Sequence, residues 1–136
     1  MKILVIDGQG GNIGRQLSKM IMDSFPDQEL IIIGTNSLAT SNMLKSGANK
    51  AATGENAVIV NSRDADVIIV PLGIVLADAL LGEVTPKMAE AIGSSKAKKI
   101  LIPMSKCDTL IAGVRLQSMA DLLEDAIAKL SVIINE

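Results

Sequence analysis

The stretch Ile3-Leu4-Val5-Ile6-Asp7-Gly8-Gln9-Gly10-Gly11-Asn12-Ile13-Gly14 runs from unbroken apolar residues straight into glycines. Ile13, Leu17, Met20 and Ile21 then recur at helical spacing until Phe25-Pro26, so the segment reads as strand, tight loop and amphipathic helix. Within it, Gly8, Gly11 and Gly14 form G-x-x-G-x-x-G, with Gly10 as a further glycine. Glycines in that place give a tight turn off the strand, close backbone approach to a phosphate, and close packing of helix on strand. The helix that follows presents its free N–H groups and positive dipole end to an anion. The pattern is that of a Rossmann-type phosphate loop.

Outward from this loop the chain alternates strands and helices. Leu30 to Ile33 is an unbroken apolar run, as a strand covered on both faces requires. Ser37 is placed to cap a helix carrying Leu38, Ala39, Met43 and Leu44, and Gly47 to close it in a left-handed turn. A third strand is expected near Lys50 to Ala52. Glu55 to Ser62 has the β-branched residues of a strand, but the crossover between parallel strands needs a helix, and we assign helix. Asp66 to Val70 gives the fourth strand, Thr85-Pro86 opens a helix to about Ile92, and Ile100 to Ile102 gives the fifth strand. Thr109 to Val114 is a candidate short sixth strand, and Ser118 with Asp121 opens a last helix with a stripe of Leu122, Leu123, Ala126, Ile127 and Leu130. With no linker, Pro-rich tract or repeat, residues 1–136 form one α/β domain. It is a doubly wound parallel sheet of expected order 3-2-1-4-5 with helices on both faces.

Composition removes several function classes. The chain has no histidine and no tyrosine, so histidine-based triads, histidine-ligated metals and the Tyr-Lys relay of short-chain dehydrogenases are absent. No metal site and no autonomous dehydrogenase activity are expected. A single cysteine, Cys107, excludes an internal disulfide framework. A net charge of −2 without a basic stripe, and Phe25 as the one aromatic residue, argue against nucleic acid. Mean hydropathy is +0.40, yet the longest uncharged apolar run, Val67 to Ala77, contains Pro71 and Gly73 and is far short of the roughly 20 residues of a membrane span. Ile3 to Ile6 is likewise too short for a signal-peptide core. A cytoplasmic location follows as the expectation.

The expected ligand is a phosphate-bearing small molecule, NAD(P) or another nucleotide, held by Gly8, Gly10, Gly11, Asn12, Ile13 and Gly14 with Thr35, Asn36 and Gly73. A side chain at Gly11 is expected to block it without unfolding the protein. Two features depart from an NAD site. The acid that normally ends the second strand and holds the ribose is replaced by Gly34-Thr35-Asn36-Ser37. Asp7 would repel a pyrophosphate unless it caps loop N–H groups, the favoured reading, or holds magnesium. A triphosphate P-loop fails because Arg15-Gln16 follows Gly14, and a phospho-accepting receiver lacks the acids that should accompany Asp7 and Lys106.

Other candidates lie at the same sheet edge. Gly73 permits a ligand's approach or simply a turn. Asp78, alone among Ile74 to Leu81, must point outward, pair with a base such as Lys87, or be held protonated. Ser105-Lys106-Cys107-Asp108 offers Lys106 to a phosphate and Cys107 either as a buried or as a reactive thiol. The catalytic candidates are therefore Asp78, Lys87 and Lys106. The apolar Ile74 to Leu81 segment exceeds what one face of a surface helix can bury, which predicts a homo-oligomer, a two-fold dimer, with this segment at its interface.

Taken together, Ile3 to Gly14, Gly34 to Gly47, Ala52 to Asn61, Pro71 to Met88 and Lys99 to Cys107 resemble a small bacterial family of single-domain proteins of unassigned function. The resemblance covers nearly the whole chain, implies a stand-alone Rossmann-like domain, and carries over no catalytic residue. Ala77 to Gly93 bears a fainter similarity to sugar-isomerase and CoA-transferase-like folds. Three functions stand at this stage: a nucleotide-binding module, an interaction module whose glycine loop is structural, and a small transferase or isomerase acting on a phosphorylated or carboxylated metabolite.

Overall fold

The computed structural model describes residues 1–103, 109–115 and 117–136. In chain order the elements are β1 (Lys2–Asp7), α1 (Asn12–Ser24), β2 (Glu29–Gly34), α2 (Ser37–Leu44), β3 (Ala51–Thr53), α3 (Glu55–Ser62), β4 (Val67–Pro71), a 3-10 turn (Leu72–Val75), α4 (Pro86–Ser94), β5 (Lys98–Ile102) and α5 (Met119–Ile134). The strands form one parallel sheet of order β3-β2-β1-β4-β5. This is the expected order, with β1 central and the reversal of strand order between β1 and β4.

Side chains alternate across the sheet, as the pleat requires. Ile3 and Val5 of β1 pack with Ile32, Val67, Ile69 and Ile102 against Leu17 and Ile21 of α1 and Leu123, Ala126 and Leu130 of α5. Leu4 and Ile6 face the other way, joining Ile33, Ile68 and Val70 under Val58 of α3 and Met88 and Ile92 of α4. Both faces are thus buried, which explains why β1, β2 and β4 read as continuous apolar runs. Each fully buried Leu or Ile contributes about 1.5–3 kcal/mol, so the register Ile3↔Leu30 and Ile3↔Val67 is fixed by both layers at once. Among the described residues no helix is long and apolar enough to cross a membrane.

Three expectations are corrected. Asn36, not Ser37, caps α2: its Oδ1 accepts the Ala39 amide at 2.8 Å, and Ser37 is the first helical residue. Thr109 to Val114 is not a strand; Thr109 makes a single bridge and Ala112-Gly113 is a turn. Ile74 to Leu81 is not a helix. After the 3-10 turn the backbone enters the left-handed region at Asp78, Leu80 and Leu81 (φ 65°, 58° and 58°) and again at Gly82 (φ 89°). Two buried anchors fix this strap, Ile74 (1% exposed) and Val84 (0%), and the Asp78 amide donates to the Val84 carbonyl at 2.7 Å. The helices opened by Thr85 and Ser118 are as expected, each hydroxyl accepting the amide three residues on.

Candidate functional site

The loop between β1 and α1 lies at the carboxyl end of the sheet, beside the point where strand order reverses, the usual ligand position in open α/β sheets. Gly11 begins α1 in the left-handed conformation (φ 73°) and offers no side-chain cap. Asp7, only 6% exposed, supplies one from the strand: its carboxylate accepts the amides of Gly8 at 2.8 Å and of Gly14 at 2.7 Å. Asp7 is therefore the internal cap of the loop. Burial pushes its pKa above the ordinary carboxylate value, against the pull of the Gly14 and Gly8 amides and with a further push from the charge of Glu83.

Side chains from outside the loop brace the rest of it. Asn42 of α2 donates to the Gly10 carbonyl and to Asn12 Oδ1, both at 2.8 Å, and Asn36 donates to the Gln9 carbonyl at 3.0 Å. Glu83, at the far end of the strap, places Oε1 on three donors: the Gln9 amide at 2.8 Å, Asn36 Nδ2 at 2.6 Å and the Thr35 hydroxyl. Burial works against ionisation of Glu83, but the hydrogen bonds from Thr35, Gln9 and Asn36 outweigh it and hold its pKa below the ordinary value. An acid thus does stand at the end of β2 in space, delivered by a segment 47 residues later than Asn36, but its Oε1 is engaged by protein donors where an NAD site offers its acid to the ribose. Neither Glu83 nor Asn42 stands out in the sequence, because neither belongs to a motif.

Beside this network lies a cleft of about 190 Å3, lined by Asp7 to Ile13 of the loop and by Pro71, Gly73, Ile74 and Leu80. The structure brings Gly8, Gly10, Gly11, Asn12, Ile13 and Gly73 together there. The amides of Gly10, Asn12 and Ile13 are given no acceptor by the described residues. Gly14 is a packing glycine: a Cβ on it would meet Asp7 Cβ at 2.8 Å and Met43 Cε at 2.7 Å. Thr35 and Asn36 hold Glu83 and do not line the cleft. Asp78 and Lys87 are exposed, form no ion pair with one another, and do not line it either, so of the options for Asp78 the outward one holds. Lys106 and its neighbours Ser105, Cys107 and Asp108 lie outside the described residues.

Residues 2–135 match the model of one protein family, described as a domain of unknown function, DUF3842. The chain belongs to that family. Comparison with curated protein sequences finds no match. Among solved structures, the chain is similar to a dodecameric FMN-dependent UbiX-like decarboxylase from Escherichia coli O157:H7, with a TM-score of 0.51 and 17% identity over 98% of this chain and 76% of that one. At that identity the likeness is one of fold. It agrees with the five-stranded parallel sheet and its order, and the DUF3842 match agrees with the resemblance read from the sequence. Among the described residues no group of three or more His, Cys, Asp or Glu could hold a metal ion.

Proposed function

We propose that this chain binds a phosphate-bearing small molecule of the nucleotide class in the cleft between the β1–α1 loop and the end of β4. The observation that carries the reading is the set of amides at Gly10, Asn12 and Ile13, which have no acceptor among the described residues and border a cleft at the sheet's reversal point. The positive end of α1 adds to their attraction for an anion. A Cβ on Gly10 would have Asn12 Nδ2 at 3.9 Å as its nearest neighbour, so the backbone is open to close approach there. The FMN dependence of the decarboxylase of similar fold supports a nucleotide-type ligand, and NAD(P) belongs to the same class. Asp7 is less of an obstacle than its position suggests, because its two carboxylate oxygens are turned onto the Gly8 and Gly14 amides.

The reading includes a homo-oligomer. It is supported by the dodecameric state of that solved structure and by the exposure of Leu76, Leu81 and Leu110.

A thermal-shift panel of FMN, NAD, NADP, AMP, CoA esters and sugar phosphates tests the ligand. A compound present at one hundred times its Kd stabilises the fold by about 2.7 kcal/mol. Absence of a shift with every phosphate-bearing compound at millimolar concentration would overturn the proposal.

A further inference from the structure

Glu83 of the strap lies over one half of the glycine loop and leaves open the other half, where Leu80 lines the cleft. A Cβ built on Gly8 would sit 2.9 Å from Glu83 Oε1 and 2.8 Å from Thr35 Oγ1, so Glu83 packs onto the turn at its β2 side, whereas Leu80, 3.0 Å from the same point, turns its other methyl toward Gly73 and lines the cleft. There Glu83 ties the Gln9 amide to Thr35 and Asn36. On the β4 side, Gly10, Asn12, Gly73 and Ile74 border the open cleft.

A dinucleotide in a sheet of this kind lies across the loop, with one nucleoside on each side of the pyrophosphate and the ribose of one at the end of the second strand. That second position is where Glu83 meets Thr35 and Asn36. The open cleft, at about 190 Å3, is also below the roughly 300–1,000 Å3 of pockets that enclose a drug-sized ligand.

We propose that Glu83 makes this site selective for mononucleotides over dinucleotides by closing its β2 half. The inference rests on the phosphate-binding reading above and narrows its ligand class. A dinucleotide reaches the site only in molecules whose strap has opened, so its apparent affinity is reduced by the open fraction. The anchors Ile74 and Val84 and the three donors on Glu83 keep that fraction small.

The test is a calorimetric comparison of FMN with FAD and of nicotinamide mononucleotide with NAD, pairs in which the larger ligand contains the smaller. In the wild-type protein the mononucleotide of the pair that binds is expected to be tighter by at least about tenfold. Glu83→Ala and Glu83→Ser, which both vacate the β2 half, are each expected to shrink that ratio about tenfold. A wild-type protein that binds a dinucleotide as tightly as its mononucleotide half overturns the proposal while leaving phosphate binding intact. A ratio unchanged in whichever variants fold also overturns it. If none of the four compounds binds, this inference falls, while the phosphate-binding reading stands or falls on the wider panel.

Discussion

A Cβ added at Gly11 would lie 2.6 Å from the carbonyl oxygen of Ala39 and 2.9 Å from its Cα, at a φ of 73°. The expectation that a side chain there would spare the fold is therefore reversed: Gly11 faces the backbone of α2. Gly11→Val should cost about 2–4 kcal/mol in urea unfolding, from left-handed strain and overpacking against backbone that cannot yield. Gly10→Val, with open space around it, should unfold at nearly the wild-type urea concentration and lose ligand-induced stabilisation. Asp7→Asn replaces an acceptor of two buried amides with a group that can accept from only one of them at a time, which leaves a buried N–H unpaired and should cost about 1–3 kcal/mol. The two acids also act on stability in opposite senses with pH. Glu83 has a folded pKa below its unfolded one, so its contribution is present above the ordinary carboxylate pKa and is lost as pH falls through the depressed value. Asp7 has a raised folded pKa, so its stabilising effect is present at low pH and lost as pH rises from the ordinary value through the raised one. Urea midpoints followed from neutral pH into acid should accordingly fall less steeply for Glu83→Gln than for wild type. An identical acid limb would show that the three donors on Glu83 do not favour its charged form.

At the scale of elements, most of the fold was legible because the sheet buries both faces. Ile3 to Ile6, Leu30 to Ile33 and Val67 to Val70 are continuous apolar runs for that reason, and the need for a crossover identified Glu55 to Ser62 as a helix despite its β-branched residues. The strap was not legible. Ile74 to Leu81 is apolar at nearly every position and has no helical period, and its path is set by distant partners, the buried Ile74 and Val84 and the donors that Glu83 finds on two other loops. Leu81 has a φ of 58° and is fully exposed (105%), so it holds a left-handed conformation without packing in return. In the dissociated chain, Leu81→Gly should raise stability by about 0.5–1 kcal/mol, the relief of left-handed strain less the extra freedom of glycine in the unfolded chain. Leucine to glycine in an ordinary helix would do the reverse. A lowered melting temperature would mean that Leu81 is covered in the assembled protein.

For the whole molecule, the dimer argument built on Ile74 to Leu81 has to be redrawn, because Ile74, Val75, Ala79 and Leu80 pack into the chain's own core. Leu76 (36% exposed) and Leu81 are the large apolar residues of that segment left to meet a partner. Sedimentation at micromolar concentration should give a species larger than the 14.2 kDa chain, and Leu76→Lys combined with Leu81→Lys should reduce it to the monomer without unfolding. Leu80→Lys would be a poor probe, since it would disrupt the strap itself. A monomeric wild type would end the proposal of self-association. By itself the sequence determined the class of fold, the strand order and the place of the glycine loop, because burial patterns, turn residues and the handedness of crossovers act over short stretches that can be read in line. The Asp7 cap on the loop amides was legible as well, whereas tertiary structure alone decided which loop amides have no acceptor among the described residues and that an acid does stand at the end of β2. These depend on groups brought together from segments 47 to 74 residues apart, and an acid such as Glu83 carries no local mark of the donors it will meet once the sheet has formed.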